Sequence, residues 1–432
     1  MKRLPKLILL VLDGVADDPS LGKTSLELAN IPNLDELARR AIGGGFYPIA
    51  KGIAPESDAA VLSMLGYNPE KYCIGRGIIE ALGAGLTIKE GFEVAFRANF
   101  ATVDPSTRRL VDRRVGRSLT TEEAVQLAKA LDGMELGAHD GYVRFVATVG
   151  HRAVVIIGSR TKRLSADVSN VDPAYERRGR LSVAVKQFSP YIPKCRPLVD
   201  TEEARTTAEL VNIFVDKAIE ILDKHPVNIE RAKKGLLKAN AVLLRDAEDR
   251  LPKVPRVSEL YGGLRFGAVA EMPVEKGIAR IVGMEVAEVP PPTPNKAKDY
   301  PERLDKALEL LERVDVVYVH LKGPDEPGHD GDKEGKVRAI ELIDKYFVGP
   351  MLNRIDLREV AVIVTADHPT PPELKAHSGT AVPLIVAFEG LDRRDGLERF
   401  TERECFTKGS LGILEHGYEM LPRVLRVLGL MK

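Results

Sequence analysis

The chain has 432 residues, of which 44% are hydrophobic and 29% are charged, so an ordinary globular protein of two or three domains is expected. Its 63 basic residues balance its 63 acidic residues, which excludes the basic excess typical of nucleic-acid-binding proteins. No apolar stretch approaches the roughly 20 residues that span a bilayer, so we expect no membrane association.

The cysteines and the first apolar run indicate a cytoplasmic protein. Cys73, Cys195 and Cys405 are far apart and form no CxxC pair, so a disulfide framework is not expected. The apolar run 7–12 is too short for the core of a signal peptide. We interpret it as the first β-strand, and Asp13 follows it directly.

The middle of the chain has a mixed pattern. Residues 92–103 and 141–158 predict strands, while Thr120 and Glu123 form a capping box that opens a helix through 131. A further helix is predicted over 203–224 from its apolar face. The proline run 290–294 that comes later cannot continue a helix or a central strand, so it predicts a stiff connector.

Short apolar runs return after this connector. Residues 316–321, 361–365 and 383–387 predict buried parallel strands. The apolar face of one predicted helix consists of Leu304, Ala307, Leu308 and Leu311. The alternation of strands and helices predicts an α/β fold with a mostly parallel central sheet.

Side chains that can bind metals follow three of the predicted strands. They are Asp13 after 7–12, Asp325 and His329 after 316–321, and Asp367, His368 and, after a short loop, His377 after 361–365. Each residue alone is explained by an ordinary structural role in a turn, a helix cap or a loop. Together they predict a metal site, because the carboxyl ends of strands in open α/β sheets form the ligand crevice. His320 lies inside an apolar run, so we interpret it as a hydrogen-bonded core histidine.

The number and type of these side chains favour two divalent cations. Mixed Asp and His ligation suits Mn²⁺, with Zn²⁺, Co²⁺ or Mg²⁺ as alternatives. Five or six ligands exceed what one tetrahedral ion needs, whereas two ions about 3.5–4 Å apart would use them in a displacement at phosphorus. If the ligands form one site, residues 1–89 and 290–432 make one discontinuous domain, and 90–289 form an inserted α+β domain.

Two further segments have open interpretations. Ser57 stands at a predicted helix start, where it is either an N-cap or a nucleophile beside a phosphate-binding helix terminus. The segment 112–117 concentrates three arginines, Arg113, Arg114 and Arg117, which form either a solvated face or a site for carboxylate and phosphate. The glycine-rich segment 72–86 lacks the Gly-Lys-Ser/Thr of a nucleotide-binding P-loop, so we interpret it as a structural turn.

Several segments in matching order span nearly the whole chain and resemble the alkaline phosphatase superfamily, and more closely its archaeal-type 2,3-bisphosphoglycerate-independent phosphoglycerate mutases. They are LILLVLDGVAD, PESDAAVLSMLGYNP, YCIGRGIIEALGAGL, DRRVGR, HLKGPDEPGHDGD, TADHPTPPELKAHSGTAVPL and CFTKGSLGILEHGYEMLP. The resemblance implies a three-layer alkaline-phosphatase-like sandwich. It also implies interconversion of 3- and 2-phosphoglycerate, without bisphosphoglycerate, in glycolysis and gluconeogenesis.

The same resemblance implies roles for individual residues. Asp325, His329 and His377 would bind one cation, and Asp13, Ser57, Asp367 and His368 the other. Ser57 would carry the phosphoryl group. Arg113, Arg114, Arg117 and Lys322 are candidates for binding the substrate, with the insertion closing as a lid. A homo-oligomer is left open.

Three other functions are alternatives to the mutase. A metal-dependent phosphomonoesterase or other hydrolase could use the same core, and exclusion of water would separate the two activities. Homoserine kinase activity is disfavoured because no nucleotide-binding loop is visible. A non-catalytic binding protein is disfavoured because the Asp and His ligands are intact.

Overall fold

The structure is a computed structural model that describes residues 5–72, 74–178, 181–185 and 187–431. The chain divides into two compact units. The first comprises residues 1–73, 254–271 and 278–432, and the second comprises 74–253 and 272–277. Cys195 and Cys405 are buried free thiols, and Cys73 lies outside the described residues. No helix within the described ranges is both long and apolar enough to cross a membrane.

The strands in chain order are β1 Lys6–Leu12, β2 Ala41–Phe46, β3 Glu93–Val103, β4 Leu110–Asp112, β5 Gly141–Ala147, β6 Arg152–Ser159, β7 Tyr175–Arg178, β8 Leu181–Ala184, β9 Ala241–Glu248, β10 Phe266–Val269, β11 Glu285–Ala287, β12 Val316–Leu321, β13 Val360–Thr365, β14 Val382–Ala387 and β15 Ile413–Leu414. The helices are α1 Ser25–Leu28, α2 Pro32–Arg39, α3 Ser57–Met64, α4 Arg76–Gly83, α5 Thr121–Lys129, α6 Glu202–Asp223, α7 Pro226–Lys233, α8 Val257–Leu260, α9 Pro273–Ile281, α10 Lys296–Arg313, α11 Asp325–Asp330, α12 Lys333–Ile343, α13 Gly349–Leu352, α14 Glu402–Lys408 and α15 Met420–Val427.

The first unit is built on one sheet with the strand order β11-β10-β12-β1-β13-β14-β2-β15. All neighbours pair in parallel except β14, which runs antiparallel to both β13 and β2. The expected mostly parallel α/β sheet is therefore confirmed, but the prediction that 383–387 is a parallel strand is wrong. A parallel neighbour requires a long crossover, usually a helix. The connection over 366–381 contains no helix, so the chain returns along the opposite direction.

The central strands are covered on both faces. Every residue of β12, β13 and β14 is buried, although successive side chains point to opposite sides of a sheet. Helix α10 packs on β10 and β12, and α14 packs on β2 and β14. The predicted helix face lies within α10, where Leu304, Ala307 and Leu311 are buried.

Strand β2 has a composition that predicts no strand, because its sequence AIGGGF contains three glycines. Its glycines are required by close packing: a Cβ on Gly44 would lie 2.6 Å from the carbonyl oxygen of Gly412. A Cβ on Gly45 would lie 2.5 Å from the ring of Phe406 in α14. Glycine is therefore required in this strand, because the neighbouring segments pack so closely against its backbone that they leave no room for side chains.

The second unit contains an antiparallel sheet in which β3 pairs with β4, β6 and β9, and β6 pairs with β5. The predicted strand over 92–103 is β3, and the segment 141–158 forms the β5–β6 hairpin. The capping box of Thr120 and Glu123 opens α5, and α6 begins and ends within one residue of the predicted helix 203–224. The apolar faces of both helices join one hydrophobic core with β3, β5, β6 and β9.

The compact units have different bounds from the predicted 1–89/290–432 and 90–289. Strands β10 and β11 pair into the sheet of the first unit, and residues 254–271 and 278–289 belong to that unit. Helix α4 belongs to the second unit, where it packs on β3 and β9. This helix, which the glycine-rich segment forms, fits closely on that sheet: a Cβ on Gly77 would lie 2.0 Å from the carbonyl of Asp246.

Candidate metal centre

The carboxyl ends of three adjacent strands place the predicted ligands at one edge of the sheet. Strand β1 lies between β12 and β13 and is parallel to both, with Leu12 opposite Leu321 and Val11 opposite Thr365. Asp13 follows β1 directly, α11 begins at Asp325 after β12, and Asp367 follows β13. The structure therefore brings together side chains separated by more than 300 residues in sequence.

One group of donor atoms consists of Asp325, His329 and His377. The Nε2 atoms of the two histidines are 3.1 Å apart, and they lie 3.5 and 3.6 Å from Oδ1 of Asp325. Nδ1 of His377 donates to the carbonyl of Pro55 at 2.7 Å, and Nδ1 of His329 lies 3.3 Å from the carbonyl of Lys375. Since each Nδ1–H faces a carbonyl, both Nε2 lone pairs face Asp325, an arrangement that could hold a cation.

The second group consists of Asp13, Asp367 and His368, together with His320 from β12. Nε2 of His368 lies 3.6 Å from Oδ1 of Asp13 and 3.3 Å from Oδ2 of Asp367. These two carboxylate oxygens are buried and have no hydrogen-bond partner among the described residues. Buried acceptors without partners are costly, so a cation between them would resolve an otherwise unfavourable arrangement.

Ser57 is the first residue of α3, and Glu56 occupies the N-cap position without a side-chain capping bond. The interpretation of Ser57 as an N-cap is therefore wrong. Its Oγ lies 3.4 Å from Nε2 of His368. The rings of His368 and His377 stack with centroids 3.8 Å apart, so the serine stands beside both groups of donors.

Thr370 connects the two groups. Its hydroxyl donates to Oδ1 of Asp325 at 2.8 Å and lies 3.0 Å from Nδ1 of His368, which can donate to it. This contact holds His368 in the tautomer whose Nε2 lone pair faces Asp13 and Asp367. Thr370 is not among the residues predicted from the sequence. The only available signal was its position two residues after His368, on the connection that carries the ligands.

The electrostatic environment differs among the candidate ligands. Burial opposes protonation of His377, but its hydrogen bonds with Asp325 and the carbonyl of Pro55 raise its pKa to about 9. Burial opposes ionisation of Asp13, but the neighbouring Lys322 and His320 hold its pKa well below the usual range. Burial and the charge of Asp13 raise the pKa of Asp367 to about 7. Burial, helped by the neighbouring His377, lowers the pKa of His368 to about 3, so this imidazole is neutral, as a metal ligand must be.

The four residues predicted to bind substrate have different surroundings. Nζ of Lys322 lies 3.2 Å from Oδ2 of Asp13 in the first unit. In the second unit, Arg113 forms a forked pair with the buried Asp172, with N–O distances of 3.0 and 2.7 Å, so its guanidinium already has a carboxylate partner.

Arg114 and Arg117 belong to a basic cluster in the second unit. The pKa of His151 is lowered to about 3 by burial and by the positive charges of Arg152, Arg114, Arg117 and Arg245. Arg117 is exposed and has φ of 55°. It follows Gly116 (φ 58°) and the buried Val115 (φ 56°), so three successive residues adopt the left-handed region. Strain of this kind in a β-branched residue is typical of functional loops.

Comparisons with known proteins identify the family of the chain. The family model for 2,3-bisphosphoglycerate-independent phosphoglycerate mutase matches residues 38–228. A protein with that name from Aeropyrum pernix is 49% identical, and the match covers 98% of this chain and 99% of that protein. One from Archaeoglobus fulgidus is 41% identical, and the match covers 99% of this chain and 98% of that protein.

Two solved structures are similar over nearly their whole length. The PH0037 protein from Pyrococcus horikoshii has a TM-score of 0.75 at 31% identity, covering 99% of this chain and 98% of that one. The cofactor-independent phosphoglycerate mutase from Thermoplasma acidophilum has a TM-score of 0.62 at 31% identity, covering 98% of this chain and 100% of that one. The chain therefore belongs to the 2,3-bisphosphoglycerate-independent phosphoglycerate mutase family.

Proposed function

We propose that this protein interconverts 3-phosphoglycerate and 2-phosphoglycerate without bisphosphoglycerate, through a phosphoseryl intermediate on Ser57. The observation that carries the proposal is the position of the Ser57 hydroxyl, 3.4 Å from Nε2 of His368 and beside both groups of donor atoms. Family membership supplies the substrate, because the relatives carry the name of this activity.

The donor set supports two divalent cations as cofactors, with Mn²⁺ as the first candidate. Asp325, His329 and His377 would hold one, and the group around Asp13 and Asp367 would hold the other. When bound, the cations supply positive charge that stabilises the transferring phosphoryl group and favours deprotonation of the serine. Mixed imidazole and carboxylate donors fit Mn²⁺, Co²⁺ or Zn²⁺ better than Ca²⁺.

The residues of the chain position the nucleophile. Ser57 begins α3, so its hydroxyl stands at a helix N-terminus, where free backbone N–H groups and the helix dipole favour a phosphoryl group. The bond from His377 to the carbonyl of Pro55 ties the segment before the serine to the ligand cluster. Attack by Oγ of Ser57 on phosphorus forms the serine O–P bond and breaks the O–P bond of the substrate. The proton lost by the serine passes to the departing alkoxide oxygen, which gives phosphoserine and glycerate that stays bound. The other hydroxyl of glycerate then takes the group back from phosphoserine.

An anionic substrate needs basic partners, and each unit, taken by itself, contains candidates. In the second unit, Arg114 and Arg117 stand in the cluster around His151, where they can bind a carboxylate or phosphate group. In the first unit, Lys322 lies next to Asp13 and can contact the phosphoryl group. Arg113 is a weaker candidate because Asp172 already occupies its fork.

The test is conversion of 3-phosphoglycerate in the absence of bisphosphoglycerate, measured before and after EDTA treatment and after addition of Mn²⁺. We expect conversion that EDTA abolishes and Mn²⁺ restores. Inorganic phosphate is measured in the same samples. Release of phosphate without formation of 2-phosphoglycerate would replace the mutase with a hydrolase.

The serine is tested by Ser57→Ala, with Ser63→Ala in the same helix as the matched control. Ser63 is buried, and its hydroxyl has no hydrogen-bond partner among the described residues. We expect Ser57→Ala to lose at least about 10³-fold in kcat while folding normally, since it removes the nucleophile. Ser63→Ala should keep its activity. Near-normal activity of Ser57→Ala would refute the assignment.

A further inference from the structure

His320 is predicted from the sequence to be a hydrogen-bonded core histidine, and this is confirmed. The imidazole comes from β12, is only 1% exposed, and its Nδ1 lies 2.6 Å from the hydroxyl of Tyr318. Its other nitrogen, Nε2, lies 3.6 Å from Oδ1 of Asp13 and 3.5 Å from Oδ2 of Asp367. These are the same two buried carboxylate oxygens that face His368 and that lack hydrogen-bond partners among the described residues.

The distances fit ligation better than hydrogen bonding. N–H···O hydrogen bonds measure about 2.7–3.2 Å, whereas Nε2 of His320 is 3.5 and 3.6 Å from the two carboxylate oxygens. Bonds of about 2.0–2.2 Å to one cation place two donor atoms about 3.3–3.6 Å apart where the angle between the bonds is close to tetrahedral. The four separations between His320 or His368 and the two oxygens are 3.6, 3.5, 3.6 and 3.3 Å.

The orientation of the ring supports the same conclusion. Nδ1 of His320 lies 2.6 Å from the hydroxyl of Tyr318, and the two rings pack edge to face. If Nδ1–H donates to this hydroxyl, the Nε2 lone pair faces the carboxylates. His329, His368 and His377 have the same arrangement, with Nδ1 held by a protein oxygen and Nε2 turned toward an aspartate. Metal-binding histidines typically use their second nitrogen in this way.

We propose that His320 is a protein ligand of the second cation, which is then held by two imidazoles and two carboxylates in addition to Ser57. This inference rests on the two-cation site of the proposed function. It implies that the second cation binds without the serine hydroxyl, so Ser57→Ala keeps both cations. Two imidazoles also favour Zn²⁺, Co²⁺ or Mn²⁺ over Mg²⁺ at this position.

The direct test is anomalous diffraction from crystals of the wild-type protein grown with Zn²⁺. The expected result is two ions, one of them within about 2.3 Å of Nε2 of His320. Two ions with none closer than about 3 Å to this atom would overturn the inference and leave the proposed function standing. Absence of ions from both groups would remove the basis of both proposals.

A binding experiment on His320→Asn tests the same point in solution. Calorimetric titration of the metal-free protein with Zn²⁺ should show two bound ions in the wild type. In His320→Asn, one of them should be lost or bind at least about tenfold more weakly. His139→Asn, which changes a histidine paired with Glu209 in the second unit, should bind both ions normally. Wild-type affinity for both ions in His320→Asn would overturn the inference, and if this variant does not fold, the diffraction result decides.

Discussion

Replacing Thr370 with valine tests whether the link between the two donor groups matters. The change keeps the shape of the side chain but removes the hydroxyl that contacts Asp325 at 2.8 Å and His368 at 3.0 Å. A hydrogen bond to a charged group contributes about 1.5–3 kcal/mol and a neutral one about 0.5–1.5 kcal/mol. Loss of the second partner of a ligand typically weakens metal binding or activity by about 10–100-fold, which corresponds to about 1.4–2.8 kcal/mol.

We therefore expect Thr370→Val to bind Mn²⁺ about 10–100-fold more weakly and to need more of it for half-maximal activity. The measurements are calorimetric titration with Mn²⁺ and mutase activity as a function of Mn²⁺ concentration. Thr370→Ser keeps the hydroxyl and should restore most of the affinity. Wild-type affinity in Thr370→Val, or equal losses in the valine and serine variants, would refute the reasoning.

The matched control is Thr207→Val in the second unit. Thr207 is also fully buried, and its hydroxyl donates to the carbonyl of Glu203 and accepts from the backbone of Ser165. This variant loses the same number of buried hydrogen bonds, so its stability should fall by a similar amount. Its affinity for Mn²⁺ should not change. A fall in affinity there would show that stability alone accounts for the effect of Thr370→Val.

Two further predictions concern stability. Arg303 and Glu271 form an ion pair at 2.9 Å, and both side chains are fully buried. Because Arg303→Leu leaves the buried charge of Glu271 uncompensated, it should lower the free energy of unfolding, measured by urea titration, by about 3–5 kcal/mol. A decrease below about 1 kcal/mol would contradict this prediction. Burial raises the pKa of Glu402 from 4.5 to about 7. The folded state then holds a proton that the unfolded state releases, so stability falls as pH rises from 4.5 through 7 and is constant above it. Glu402→Gln should flatten the dependence of the urea midpoint between pH 5 and pH 8, and an unchanged slope would argue against this assignment.

Much of the candidate metal centre could be predicted because its signals are local. A polar residue directly after a buried apolar run stands at a strand end, and parallel strands share one edge, so Asp13, Asp325 and Asp367 could be grouped from the sequence alone. The position of Ser57 within its helix could not be predicted as firmly. The N-cap and the first helical residue are adjacent positions, and the sequence does not define the start of a helix to within one residue.

The contacts of His320 and Thr370 lay beyond sequence reasoning for a different reason. A histidine in an apolar strand and a threonine in a loop both have ordinary structural explanations, and their partners are set by packing between distant segments. The same holds for Arg113. The run of arginines that contains it can be recognised in the sequence, but its partner Asp172 lies 59 residues away along the chain. A local pattern indicates which groups can bind a ligand, but it does not indicate which of them are already bound to one another.

The reversed direction of β14 explains how His377 reaches its place. Asp367 and His368 follow β13, whereas His377 precedes β14. If β14 were parallel to β13, the residues before it would lie at the opposite edge of the sheet, about 20 Å from the end of β13 for a strand of this length. Because β14 runs backwards, with Leu384 opposite Thr365, its first residues lie beside the last residues of β13. Three donors thus come from a single hairpin connection, and a slip of one residue between these two strands would shift His377 relative to His368 by about 3.3 Å. The register between β13 and β14 therefore determines the spacing of these candidate ligands.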